Sequence, residues 1–160
     1  MGNPIRKTCD WFVAAGQQPA VPVTNPQQMS LYTGLMAEEL AEKLALILGP
    51  DNSLVKDLEG AADRFKKADA ATKDAVLAAF KTAPQKFIDA DMDMIWVSVG
   101  ATRATGSNPV QAYGLVGKAN WAKFPGGKAT LDSNGKVVKP ADWQEADLTS
   151  ALPAEMRGEA

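Results

Sequence analysis

The sequence of 160 residues contains no histidine and a single cysteine, Cys9. The first absence removes Ser-His-Asp and Cys-His nucleophile systems, histidine-assisted zinc sites and the Glu-x-x-His pairs of di-iron bundles. The second excludes an internal disulfide and a four-cysteine zinc site, and suits a reducing cytosol. No apolar run approaches the roughly 20 residues that a membrane span needs. The formal net charge is only −2, so no nucleic-acid or membrane partner is expected. Met1-Gly2-Asn3-Pro4 lacks the features of a secretory signal, and Arg6 breaks the myristoylation pattern, so a cytoplasmic location is expected. The length fits one domain, 1–160, with a real core. Any chemistry must rest on carboxylates, lysines, arginines and bound metal. A metal held by oxygen alone would be hard, Mg²⁺ or Mn²⁺.

Helical periodicity is abundant. Leu31 to Leu48 reads as one helix ending at Gly49-Pro50. At about 100° per residue, Glu38, Glu39 and Glu42 share an arc with Leu31, Leu35 and Leu46, while Met36, Leu40, Leu44 and Ile47 make the far side apolar. A helix that is apolar nearly all round is expected to be buried. Its carboxylates then need compensation. Gly34, near that face, either admits a close backbone or is a neutral small residue. Before this helix, Ile5 to Ala15 reads as a first helix with Trp11 and Phe12 as core candidates. Gln17 to Gln28, with Pro19, Pro22 and Pro26, reads as an extended connector.

Asp51 to Ala83 predicts two short amphipathic helices parted near Asp69, with a solvated charged face. Pro84 opens a helix from about Gln85 to Thr105. On it Asp89 and Asp93 share one face and Asp91 points away. Ile88, Met92, Ile95 and Val99 form a stripe expected to pack in the core. Ile95 to Val99 is also β-prone, but the spacing around it favours helix. Asn108-Pro109 caps a further helix reaching about Lys123, with Val116, Asn120 and Lys123 on one face. Pro125-Gly126-Gly127 breaks it. Asp132-Ser133-Asn134-Gly135 predicts a small hairpin between Lys128–Leu131 and Lys136–Val138. The tail from Pro140 has Trp143 as an anchor.

A Glu-Glu-x-x-Glu run is common on solvated surfaces, and Lys43 or Lys56 could pair with it. Two acidic clusters in apolar helices argue instead for divalent cations. Neighbouring carboxylates raise each other's pKa, and bound cations relieve this while clamping phosphoryl groups.

The motif Glu38-Glu39-Leu40-Ala41-Glu42, followed by Asp89-Ala90-Asp91-Met92-Asp93-Met94-Ile95-Trp96-Val97 and Gly100, resembles the all-α nucleoside triphosphate pyrophosphohydrolases. This superfamily includes MazG-like proteins. The likeness is to its compact phosphoribosyl-ATP pyrophosphohydrolase-like phage and bacterial branch. Phe12 to Pro26 resembles that branch's opening. Asn120 to Phe124 and Asp132 to Pro140 resemble its close. Residues 51–83 look like a helical insertion, and 125–160 hold the hairpin and tail. One departure stands out: where the family pattern has Glu, this chain has Ala90, with Asp89 beside it.

The resemblance implies an all-α bundle of four to six helices with a small C-terminal β-hairpin. It implies hydrolysis of an NTP or dNTP to the monophosphate and pyrophosphate with two or three Mg²⁺ or Mn²⁺ ions. Glu39, Glu42, Asp89 and Asp93 would be metal ligands. Glu38 would orient the water or hold an additional ion. Asn120, Lys123 and Lys139 would contact the triphosphate, and Trp96 would stack on the base. A homodimer or homotetramer in a bacterial or phage-infected cytosol is implied. MazZ-like members make dGTP or GTP the first substrate to test. The alternatives are a pyrimidine or housecleaning pyrophosphatase, on dUTP, dCTP or damaged nucleotides, and a non-catalytic nucleotide-binding helical oligomer.

Overall fold

The computed structural model describes residues 3–17 and 25–158. The proline-bearing stretch 18–24 of the expected connector lies outside them. The chain is all-α, with six helices among the described residues. They are α1 Pro4–Ala14, α2 Pro26–Leu48, α3 Ser53–Lys66, α4 Ala70–Thr82, α5 Pro84–Ala104 and α6 Pro109–Trp121. By contacts the chain divides into two compact units. One comprises residues 1–18, 85–130 and 137–160; the other comprises 19–84 and 131–136.

Local chemistry explains most boundaries. Asn3, Asn25, Asn52, Asp69 and Asn108 each accept backbone N–H groups at a helix start, satisfying donors that the first turn leaves orphaned. Pro26 and Pro109 stand at the first helical position, where a missing N–H costs nothing. Hence α2 begins five residues before the expected Leu31, and Pro26 to Gln28 are helical rather than extended. Gly49 at φ 86° ends α2. Pro84 separates α4 from α5, since proline excludes the residue before it from helical conformation.

In the second unit α2 folds back on α3 and also packs on α4. The buried residues of α2 are Ser30, Leu31, Gly34 and Ala41. Val55 and Ala62 of α3 and Val76 of α4 are buried as well. The expectation that α2 would be buried all round is corrected: Leu40, Leu46, Ile47 and Leu48 are exposed. Apart from Leu31, the buried residues of α2 are small, Ser30, Gly34 and Ala41, and Gly34 brings its backbone close to α3.

In the first unit the core is Ala15, Phe124 and Val137, with Trp11 and Ala129 against it. Trp11 stacks on Phe124 with centroids 5.0 Å apart. α1 is tied to α6 by a Thr8–Tyr113 hydroxyl hydrogen bond. The tail is anchored as well: Asn108 N–H donates to Ala151 O at 2.8 Å, and Ala151 is buried. α5 contradicts its expected role, because none of its residues is buried.

The hairpin is also corrected. Among the described residues no strand forms, and Leu131 and Val137 are isolated bridge positions. The turn itself is present: Asp132 Oδ1 accepts from the N–H groups of Asn134 at 2.8 Å and Lys136 at 2.9 Å. Gly135 takes the φ of 85° that the turn requires.

Candidate functional site

The predicted site residues fall into three groups. Glu38, Glu39 and Glu42 lie on α2 in the second unit. Asp89, Asp93 and Trp96 lie on α5 in the first. Asn120, Lys123 and Lys139 lie near the end of α6, also in the first.

Glu38 sits one turn beyond Gly34. A Cβ at position 34 would stand 2.7 Å from Ala62 O and 2.8 Å from Lys66 N. Only glycine therefore admits the α3 backbone at this distance. One turn earlier, the buried Ser30 hydroxyl donates to Phe65 O at 2.8 Å. This close approach of α3 brings Lys66 Nζ to 2.8 Å from Glu38 Oε1. From the other side Lys136 Nζ, placed by the Asp132 turn, reaches Glu38 Oε2 at 3.2 Å. Gln27 Nε2 donates to Asn134 O and holds the same turn against α2.

Burial raises the Glu38 pKa, but the hydrogen bonds and charges of Lys66 and Lys136 outweigh it and hold the carboxyl below its ordinary value. For Lys66, burial works against the ammonium, yet Glu38 and Asp63 prevail and its pKa is raised. The compensation expected from divalent cations is thus supplied at Glu38 by two lysines. Neither is among those considered from the sequence, of which Lys56 pairs instead with Glu59 at 3.4 Å. A carboxylate gripped by two ammonium groups is a weakened base.

Glu39 and Glu42 are exposed on α2, three residues apart. Asp89 and Asp93 are exposed on α5, four apart, and Trp96 is 81% exposed. The half-buried acid of α5 is Asp91, whose pKa burial raises. It is the one the sequence placed outside the site. The donor chemistry of the two acid pairs suits a hard cation. Among the described residues, however, no three acidic or thiol side chains form a metal-binding group. Each helix presents one pair, short of a complete ligand set by itself.

The third group does converge. Lys123 Nζ donates to Asn120 Oδ1 at 2.7 Å. Lys123 Nζ lies 5.1 Å and Lys139 Nζ 4.3 Å from the Trp143 ring centroid. Cation–π attraction holds both ammonium groups beside one ring. The ring is fixed in turn, since Trp143 Nε1 donates to Ala119 O at 2.6 Å. Trp11 Nε1 donates to Asn120 O at 2.9 Å. Two indoles thereby satisfy carbonyls in the last turn of α6, the negative end of that helix. Trp143, read from the sequence only as an anchor, organises the group. Its signal was an indole close in sequence to Lys139.

Two ammonium groups beside an amide are chemistry suited to an anion. No protein-family model, curated protein or solved structure matches the chain significantly. Among the described residues no helix is long and apolar enough to cross a membrane.

Proposed function

We propose that the chain is a metal-dependent nucleoside triphosphate pyrophosphohydrolase, converting (d)NTP and water to (d)NMP and pyrophosphate, with dGTP or GTP as the first substrate to test. One observation carries the reading: Asn120, Lys123 and Lys139, assigned to the triphosphate by resemblance, gather around Trp143. Two ammonium groups there suit the anionic oxygens of a polyphosphate. Glu39 and Glu42, with Asp89 and Asp93, are the oxygen donors that would hold Mg²⁺ or Mn²⁺. A bound ion of that kind supplies charge neutralisation and an activated water. The Lys123 and Lys139 ammonium groups would bind and orient the phosphate chain. Glu38, engaged by two lysines, is assigned to positioning Lys136 and Lys66 rather than to taking a proton.

The reading is tested by incubating the protein with each dNTP and NTP in Mg²⁺ or Mn²⁺ and identifying the products. Pyrophosphate and monophosphate are expected. Orthophosphate release, or no turnover with any nucleotide, counts against it. A second reading, a non-catalytic nucleotide-binding helical oligomer, is favoured by Ala90 standing where the family pattern has Glu, and by the exposure of the acid pairs. Nucleotide binding without turnover would select it.

A further inference from the structure

Of the six asparagines in the chain, three precede a proline, two precede Ser53 or Trp121, and Asn134 precedes Gly135. The residue that follows an asparagine matters chemically, because its backbone nitrogen can attack the asparagine side-chain carbonyl. Proline lacks the hydrogen that must leave, and a side chain hinders the approach; glycine does neither. A Cβ placed at Gly135 would meet nothing within 4 Å, so that flank is open. The turn nevertheless restrains the same nitrogen. Gly135 N–H donates to Asp132 O at 3.0 Å, which keeps its proton in place. Asn134 N–H is held by Asp132 Oδ1 at 2.8 Å. Two side chains of α2 fasten the turn in that form: Gln27 Nε2 donates to Asn134 O at 3.3 Å, and Glu38 Oε2 lies 3.2 Å from Lys136 Nζ. Turn and α2 belong to one unit.

We propose that Asn134 is a self-modification site, latent while the turn is fastened to α2 and reactive once it is released. The Gly135 nitrogen gives up its proton to solvent and bonds to Asn134 Cγ. The Cγ–Nδ2 bond breaks, and the side-chain nitrogen leaves as ammonia. Water then opens the cyclic imide at one carbonyl or the other, giving aspartate or isoaspartate. No oxidant or cofactor takes part. Either product places a new negative charge two residues from Lys136. Isoaspartate also runs the main chain through the former side chain and lengthens it by one carbon. The turn that sets Lys136 on Glu38 is then remade, and Glu38 loses one of its two cations. The change runs one way, and it does not rest on the nucleotide reading.

The test incubates the full chain in neutral buffer and follows each asparagine by peptide mapping with mass spectrometry. Asn134 should lose ammonia and gain water, partly as isoaspartate, ahead of the other five. The native chain should react about tenfold or more slowly than the chain unfolded in guanidinium, because it reacts only from a locally opened turn. Gln27→Ala and Glu38→Gln should each speed the native reaction severalfold to about tenfold, the order set by one lost hydrogen bond, neutral or charged. Trp143→Phe, whose lost bond lies in the other unit, should keep the wild-type rate, which separates release of the turn from loss of the whole fold. If Glu38→Gln does not fold, Gln27→Ala decides. A native chain that reacts as fast as the unfolded one overturns the latch. So do wild-type rates in Gln27→Ala and Glu38→Gln, or an equal acceleration by Trp143→Phe. An Asn134 that stays intact even in guanidinium overturns the site itself.

Discussion

Gly34 and Lys66 are in closer backbone approach than any side-chain-bearing residue at position 34 would allow: a Cβ there would lie 2.8 Å from Lys66 N. That approach sets the Lys66 ammonium on Glu38, one turn further along α2.

Gly34→Ala is therefore expected to destabilise the protein. Alanine gains up to about 1 kcal/mol in helix propensity, but overpacking against fixed backbone costs about 1–3 kcal/mol. Denaturant unfolding should show a lower midpoint. An unchanged or higher midpoint would mean that α3 does not approach α2 so closely.

Glu38→Gln tests the ion pairs through pH. Because the folded carboxyl is shifted below its ordinary 4.5, its stabilisation is full above about that pH and is lost as pH falls through the folded value. Because the Lys66 pKa is shifted above 10.5, its share is full below that value and is lost as pH rises through the higher folded one. The stability difference between wild type and variant should hence be widest between these limits and shrink at both ends. A difference that does not vary with pH would show that charge is not the cause.

Asp91→Asn should act in the opposite direction. Burial raises the folded pKa of this carboxyl, so the charged form weakens the fold as pH rises above the ordinary 3.8. The variant should be at least as stable as wild type at neutral pH by thermal unfolding. Clear destabilisation would reveal a favourable partner for the ionised group.

Trp143→Phe removes the N–H that meets Ala119 O and should cost about 1 kcal/mol of stability. Lys139→Met leaves that bond intact. It should weaken nucleotide binding and flatten its dependence on salt, read by titration at two ionic strengths. Equal binding by Lys139→Met and wild type would remove the basic group from the proposed substrate site.

Glu42→Gln and Asp93→Asn replace exposed acids. Each should leave stability within about 0.5 kcal/mol of wild type while lowering the proposed pyrophosphohydrolase activity by roughly a hundredfold or more, the order of losing a charge-stabilising group. Full activity in both variants would exclude the two pairs as ligands.

Helices were legible in the sequence wherever their signals are local. Asn108-Pro109, Gly49-Pro50 and the break at Asp69 act through one or two turns of backbone, and each marks a boundary of the fold. Asn25-Pro26 carries the same signal as Asn108-Pro109 and was outweighed by the neighbouring prolines. The hairpin was read from Asn134-Gly135, which specifies a turn but not the ladder on either side of it.

Residue order by itself determined that this is an all-helical chain bearing acidic clusters on two of its helices, because periodicity and capping are short-range. The tertiary structure alone decided that Glu38 is neutralised by Lys66 and Lys136, partners 28 and 98 residues away. It alone put Lys123 and Lys139 on one indole and left Ile88, Met92, Ile95 and Val99 of α5 half exposed. Hydrophobic periodicity gives the direction of a side chain about its own helix axis. What stands opposite it depends on how distant segments fold back, and no local pattern carries that information.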